Sequence, residues 1–150
     1  MKRLLTLTVI FCMLICSVSA FAVAEKITLN GETLTIPEDM GKICEIDDRT
    51  FVPVRFVVEH LGCHVNYNEA QQGAAITDLS TGIAYYVQAG SDVIFVINPQ
   101  NATPVMMDTE AFINNDEGRM YVPIRFLATA MGYQVDWDEA TQTVALSLAE

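Results

Sequence analysis

The chain has 150 residues, with 19 acidic residues against 8 Lys and Arg, so its formal net charge is −11. A surface this negative repels phosphate backbones and anionic lipid, which argues against nucleic acid or a membrane surface as the partner. The length is enough for one domain with a modest hydrophobic core.

Residues 1–24 have the pattern of a cleaved secretory signal peptide. A short basic start precedes an uncharged apolar run over residues 4–18, and small residues at 20–22 and 22–24 fit two cleavage sites. The apolar run is too short to cross a bilayer comfortably. Cleavage after Ala24 leaves residues 25–150, with six basic and 19 acidic residues and a net charge near −13. We therefore expect a secreted or cell-surface protein with no membrane insertion after cleavage.

The first elements after the signal are predicted to be strands. Two alternating apolar segments at residues 27–29 and 33–36 flank Asn30-Gly31. Asn-Gly between alternating segments indicates a β-hairpin with a type I′ turn, because that turn requires positive φ at both central residues. Further hairpins are predicted over residues 43–52 and 83–97.

The chain contains one internal repeat. Residues 49–61 read RTFVPVRFVVEHL, and 70 positions later residues 119–131 read RMYVPIRFLATAM. The alignment continues without a gap, which gives repeats over 43–79 and 113–149. We therefore predict a single α+β domain made of two copies of a strand–helix–strand unit, with antiparallel sheet and hairpins packed on two short helices.

Each repeat contains a predicted helix that begins at a proline, Pro53 or Pro123, because proline suits the first helical position. Apolar residues follow at i, i+3, i+4 and i+7, which is one buried stripe. Gly62 and Gly132 stand where a left-handed residue ends a helix.

Arg55 and Arg125 are the candidate binding residues. Each lies in the first helical turn, where the helix dipole disfavours a cation. We expect a salt bridge, or hydrogen bonds to carbonyls, that locks each helix to a neighbouring strand, and the alternative is a site for an anion or carboxylate. Arg49 and Arg119 are interpreted as ordinary turn residues.

The remaining chemistry-bearing residues predict no catalytic or metal site. His60 and His64 are separated by a glycine that breaks the helix, so the two rings do not share one helical face. The acidic clusters lack the spacing of a calcium loop, and no nucleophile pattern is present. Tyr67 and Trp137 are interpreted as core anchors, and the alternative is a platform on which a sugar ring stacks. We expect no cofactor and no enzymatic activity.

Two cysteines remain after the signal peptide, Cys44 and Cys63. Export permits a disulfide between them, and two buried free thiols are the alternative that the sequence leaves open.

The repeated motif resembles the copper amine oxidase N-terminal-like domain, also called the stalk domain, of secreted and envelope proteins of Gram-positive bacteria. The resemblance rests on F/Y-V-P-V/I-R-F, then L/M-G, then V-x-Y/W-x-E-A, and it covers residues 27–148. In the first copy Tyr67-Asn68 replaces the usual Trp-Asp. The resemblance implies a compact α+β module outside the catalytic part of the oxidases. It does not imply amine oxidation, which needs a much larger domain with a histidine copper site.

Two functions are consistent with these features. The first is a secreted, non-catalytic binding or interaction module at the bacterial cell envelope, with a cell-wall component or an envelope protein as partner. The second is a small exported enzyme or enzyme accessory that uses Arg55 and Arg125 to hold an anionic ligand.

Overall fold

A computed structural model describes residues 23–149, so the predicted signal peptide lies outside the described residues from position 1 to 22. Two α-helices occur in the described part, α1 (Val54–His60) and α2 (Ile124–Ala130), together with a short 3-10 helix (Glu38–Met40). The strands are β1 (Lys26–Leu29), β2 (Glu32–Leu34), β3 (Cys44–Ile46), β4 (Arg49–Pro53), β5 (Cys63–Asn68), β6 (Gly73–Asp78), β7 (Ala84–Gln88), β8 (Val93–Ile97), β9 (Ala102–Met106), β10 (Phe112–Asn114), β11 (Arg119–Pro123), β12 (Tyr133–Asp138) and β13 (Thr143–Leu148).

The strands form three sheets. One sheet has the order β10-β11-β4-β3, a second has β12-β13-β1-β2, and the third has β5-β6-β7-β8-β9. All neighbours are antiparallel except β1 and β13, which are parallel. Mostly antiparallel sheet with two helices agrees with the α+β class predicted from the sequence.

The hairpin between β1 and β2 forms where Asn30-Gly31 predicted it. Asn30 has φ 51° and Gly31 has φ 87°, as a type I′ turn requires. The other edge of β1 lies parallel to β13, with Ile27 opposite Val144. The first strand of the domain, β1, therefore pairs with the last strand, β13, in one sheet. No local sequence signal indicated this long-range pairing.

The centre of the fold is the antiparallel pair of β4 and β11. Val52 lies opposite Val122, and residues 51 and 53 lie opposite residues 123 and 121. Because the repeat offset is 70, this register maps onto itself when the two strands are exchanged. The pair therefore has a local two-fold relationship, with Val52 and Val122 at its centre.

The helices begin one residue later than predicted. Pro53 and Pro123 have extended ψ values of 120° and 118° and complete β4 and β11, and the first helical residues are Val54 and Ile124. The prolines stay extended because each still occupies a place in the strand pair before the chain turns. Gly62 and Gly132 have φ of 79° and 84°, which confirms the predicted helix ends.

The core lies between the helices and the sheets. Each helix contacts the strand that follows it and also both β4 and β11. Ala24, just before the expected cleavage point, is 4% exposed and belongs to this core, so the packed unit begins before Glu25. Among residues 23–149, no helix is long and apolar enough to cross a membrane.

Candidate functional site

Arginine occurs four times in residues 23–149, and all four arginines line two grooves. We call them the larger groove, of about 440 Å³, and the smaller groove, of about 140 Å³. Acidic residues outnumber Lys and Arg in this chain by 19 to 8, so two places that collect all four of these arginines are distinctive.

The larger groove is built by separate parts of the chain. Arg49 enters from the start of β4, Arg125 from the first turn of α2, and Trp137 from the far end of β12. Asp108, from the loop after β9, and Val135 also line it.

The smaller groove has the same construction with the two halves exchanged. Arg119 comes from the start of β11, Arg55 from the first turn of α1, and Tyr67 from the far end of β5. Met40, from the 3-10 helix, and Val65 also line it. The main lining residues of the two grooves correspond at the repeat offset: Arg49 and Arg119, Pro123 and Pro53, Arg125 and Arg55, Val135 and Val65, Trp137 and Tyr67.

Arg49 is held in place by residues from both halves of the chain. Its Nε and Nη2 donate to one carboxylate oxygen of Asp108, at 2.9 and 2.7 Å, and its Nη1 donates to the carbonyl of Asp47 at 2.6 Å. The hydrogen bond and the charge of Arg49 hold the pKa of Asp108 below its usual value. Arg119 likewise donates to the carbonyl of Asp39, which precedes the first repeat.

These contacts correct the interpretation of Arg49 and Arg119 as ordinary turn residues. Arg49 is the first residue of β4 and bonds to Asp108, which precedes the hairpin of β10 and β11. Arg119 is the first residue of β11 and bonds to Asp39, which precedes the hairpin of β3 and β4. Both positions were repeated in the sequence, as Arg55 and Arg125 were. The repetition identified Arg49 and Arg119 as equivalent positions. Only their bonds to Asp108 and Asp39 showed that both arginines join distant segments of the chain.

Arg55 and Arg125 do not form the expected locks between helix and strand. The Arg55 side chain is 58% exposed, and its Nε lies 4.0 Å from Glu59 Oε1 within the same helix. Arg125 is exposed and forms no ion pair within residues 23–149. The reason is helical geometry, because the buried stripe uses the neighbouring positions and leaves these two on the solvent side.

Tyr67 and Trp137 are not core anchors, because they are 39% and 40% exposed. Along β5 the side chains that share one face are Cys63, Val65 and Tyr67, and they change from buried to half-buried to exposed. The strand therefore extends beyond the layer that covers its beginning. The ring of Tyr67, near the end of β5, therefore lines the smaller groove.

The two grooves differ in charge. Three carboxylates line the larger groove, from Asp48, Asp108 and Asp136, in addition to its two arginines. The lining of the smaller groove has its two arginines, Arg55 and Arg119, and no carboxylate. Equivalent positions thus give two sites of different electrostatic character.

The histidines lie outside both grooves. His60 Nδ1 lies 2.7 Å from the carbonyl oxygen of Phe56, and His64 is exposed on β5. Within residues 23–149, no group of three or more His, Cys, Asp or Glu side chains is arranged to hold a metal ion.

Cys44 and Cys63 are free thiols in the structure and lie in different sheets. Burial, with a smaller contribution from Glu117, raises the pKa of Cys44. Burial, with a smaller contribution from Asp78, raises the pKa of Cys63 to about 11. Both groups are therefore protonated at neutral pH and are weak nucleophiles.

Comparison with known proteins places the chain in a family. A search of curated proteins found no significant match, and a search of solved structures found none either. The family model for the copper amine oxidase N-terminal domain matches residues 26–146. The match includes both central strands, both helices and both grooves. Because it spans most of the sequence, the chain belongs to the copper amine oxidase N-terminal domain family.

Proposed function

We propose that the protein is a secreted, non-catalytic binding module at the bacterial cell envelope, and that it binds a cell-wall component or an envelope protein through the larger groove. The two halves of the module are copies of one strand–helix–strand unit. Support for the duplication comes from the offset of 70 residues and from the register of β4 and β11.

The observation that carries this proposal is an exposed indole and an exposed guanidinium that line the same groove. Trp137 is 40% exposed and lines the larger groove together with Arg125, which has no ion-pair partner within residues 23–149. Tryptophan and arginine are the residues that most often dominate binding free energy, because they bury large areas and form directed hydrogen bonds. Leaving both of them open to solvent is consistent with a surface that a ligand covers.

Family membership supports a non-catalytic role. The N-terminal domain of copper amine oxidase is an accessory domain and not the catalytic one. A module of this kind contributes to function by binding, because the reaction takes place elsewhere.

The alternative is a small exported enzyme or an enzyme accessory. The observation that favours it is that Arg55 and Arg125 are exposed and line grooves, where an anionic ligand has access to them. An accessory role predicts that the isolated module alters the activity of a partner enzyme and is not retained by wall material.

The test is retention of the mature protein on purified cell-wall sacculi, with and without divalent ions. We compare wild type with Trp137→Ala and Arg125→Gln in the larger groove. Lys26→Gln is the matched control, because it removes one positive charge from an exposed position on β1 that lines neither groove.

Wild type and Lys26→Gln should be retained, and each groove variant should lose at least about tenfold in affinity, as expected when a central aromatic or arginine contact is removed. The proposal is wrong if no sacculus preparation or envelope protein retains the wild type. It is also wrong if both groove variants are retained as well as the control.

A further inference from the structure

The smaller groove has the features of a second ligand site. We propose that it binds a carboxylate or phosphate group attached to an apolar or ring-shaped body of a wall polymer, while the larger groove contacts another part of the same polymer. This inference rests on the proposed function, since it assigns a ligand class and a second contact to the same module.

The charge of the smaller groove is opposite to that of the molecule. The chain carries a formal net charge of −11, yet this groove is lined by Arg55 and Arg119 and by no carboxylate. Within residues 23–149, the ion pair that this groove's arginines form is that of Arg55 with Glu59, at 4.0 Å, with both side chains about half exposed. A concave positive site on an acidic surface concentrates anions locally while the rest of the surface repels them.

Arg119 is held by one backbone contact and keeps donors for a ligand. Its Nη2 donates to the carbonyl of Asp39, which leaves other guanidinium N–H groups for a second acceptor. Arginine binds carboxylate and phosphate through two parallel hydrogen bonds because its donors form a planar fork. An arginine held by the protein before binding loses less conformational entropy when the ligand arrives.

The wall beside Arg119 depends on Gly41. A Cβ at Gly41 would lie 2.6 Å from the Tyr121 hydroxyl oxygen, 2.9 Å from Pro53 Cγ and 3.1 Å from Arg119 Cδ. The φ of Gly41 is also +93°, which side chains disfavour. The backbone after the 3-10 helix can therefore pass close to Arg119 only because residue 41 is glycine.

The apolar residues that line the smaller groove indicate which kind of molecule carries the anionic group. Met40, Val65 and Ile113 are half-buried in the groove, and the ring of Tyr67 is 39% exposed. These groups contact hydrocarbon or a ring face more favourably than they contact water. The groove volume of about 140 Å³ suits the acidic end of a ligand. It is smaller than the several hundred Å³ that usually encloses a drug-sized molecule.

Two grooves at corresponding positions of one domain favour a ligand that is long enough to reach both. Each groove is completed by an arginine at the start of a central strand, and those strands pair with each other as β4 and β11. Once one groove has bound, the second meets its ligand group at an effective concentration of the order of millimolar when the polymer spans both sites. Weak single contacts thereby add to stable retention.

The test uses soluble probes and the whole mature protein in isothermal titration calorimetry. An oligogalacturonate supplies carboxylates on sugar rings, a phosphorylated dextran supplies phosphates on sugar rings, and unmodified dextran is the uncharged control. The first variant is Arg55→Gln, which should fold as wild type does because Arg55 is exposed. The second is Lys26→Gln, which makes the same change of charge outside the groove.

At least one anionic probe should bind, and Arg55→Gln should weaken it by about tenfold or more, since a hydrogen bond to a charged group is lost. Lys26→Gln should change the affinity by less than twofold, and dextran should not bind. Which anionic probe responds to Arg55→Gln identifies the carboxylate or the phosphate.

The inference is overturned if both anionic probes bind no better than dextran, or if Arg55→Gln binds as wild type does. Equal weakening by Lys26→Gln would also overturn it, because binding would then follow overall charge alone. Failure of the proposed function gives a different result, in which Arg55-dependent binding of a soluble probe persists while sacculi retain nothing.

Discussion

Val52 of β4 lies directly opposite Val122 of β11, and both side chains are fully buried. These two residues occupy the same place in the two repeats and face each other across the pairing that joins them. The two helices also pack on both of these strands. The contact between the halves is therefore the centre of the core.

We expect Val52→Ala and Val122→Ala each to lower the free energy of unfolding by about 2 kcal/mol, because each removes two buried methyl groups. The two losses should be similar, and the double variant should depart from additivity because the residues are neighbours. Urea denaturation measures all three. Leu79→Ala, at a residue 73% exposed, is the control. A severalfold difference between the two valine variants would contradict the symmetric role.

Asp78 should make stability depend on pH in the acid range. Hydrogen bonds from the hydroxyl and backbone N–H groups of Ser80 and Thr81 lower the pKa of its carboxyl to about 2. A carboxyl with a depressed pKa stabilises the fold above its unfolded pKa, near 4, and this contribution is lost as the pH falls toward 2.

Asp78→Asn should therefore lower Tm at pH 7, and the difference from wild type should shrink between pH 4 and pH 2. Thermal melts at pH 7, 4 and 2.5 provide the measurement. Glu110→Gln, at an exposed loop position, is the control. A difference in Tm that stays constant over this range would show that the carboxylate charge is not the cause.

Cys44 and Cys63 should both be alkylated by iodoacetamide in denaturant without any reductant, because both thiols are free in the structure. In the native protein at neutral pH the reaction should be slow, since burial raises both pKa values. Intact mass spectrometry counts the labels on the mature chain. Labelling that requires prior reduction would instead establish the disulfide that export permits.

Pro104 should protect the free edge of the five-stranded sheet. Strand β9 forms that edge, and Pro104 lies opposite Phe95. Backbone bonds between Met107 and Asp92 and between Asn98 and Asn101 flank the ladder, so by alternation the backbone of residue 104 faces away from β8. The middle of the exposed edge therefore has no N–H to offer another strand.

Replacing Pro104 by valine supplies that donor, and Pro104→Val should self-associate more than wild type in size-exclusion chromatography with light scattering. Thr103→Val is the matched control, because residue 103 bonds toward β8 and the change adds no donor at the edge. If the two variants elute alike as wild type does, the proline has no protective role.

Much of the fold was predictable because its signals are local. The turn at Asn30-Gly31 and the helix ends at Gly62 and Gly132 follow from which residues tolerate positive φ. The helical stripe follows from spacing along a few turns. These features depend on neighbours in the chain, and a single sequence contains them.

The roles of the arginines were not predictable in the same way. Arg49 bonds to Asp108, which lies 59 positions away, and Arg119 bonds to Asp39, 80 positions away. The sequence marked Arg55 and Arg125 as unusual, but it could not show that a different pair of arginines joins the halves. Such partners are chosen by the packing of distant segments.

The sequence by itself determined the repeated motif at an offset of 70 residues, the hairpins, the helices and the family to which the chain belongs. Only the tertiary structure decided that β1 would lie beside β13 and that Tyr67 and Trp137 would be exposed. The physical reason is that local turns and periodicity are set by sterics within a few residues. Which strands pair, and where a strand extends past the layer that covers it, depend on the packing of the whole core.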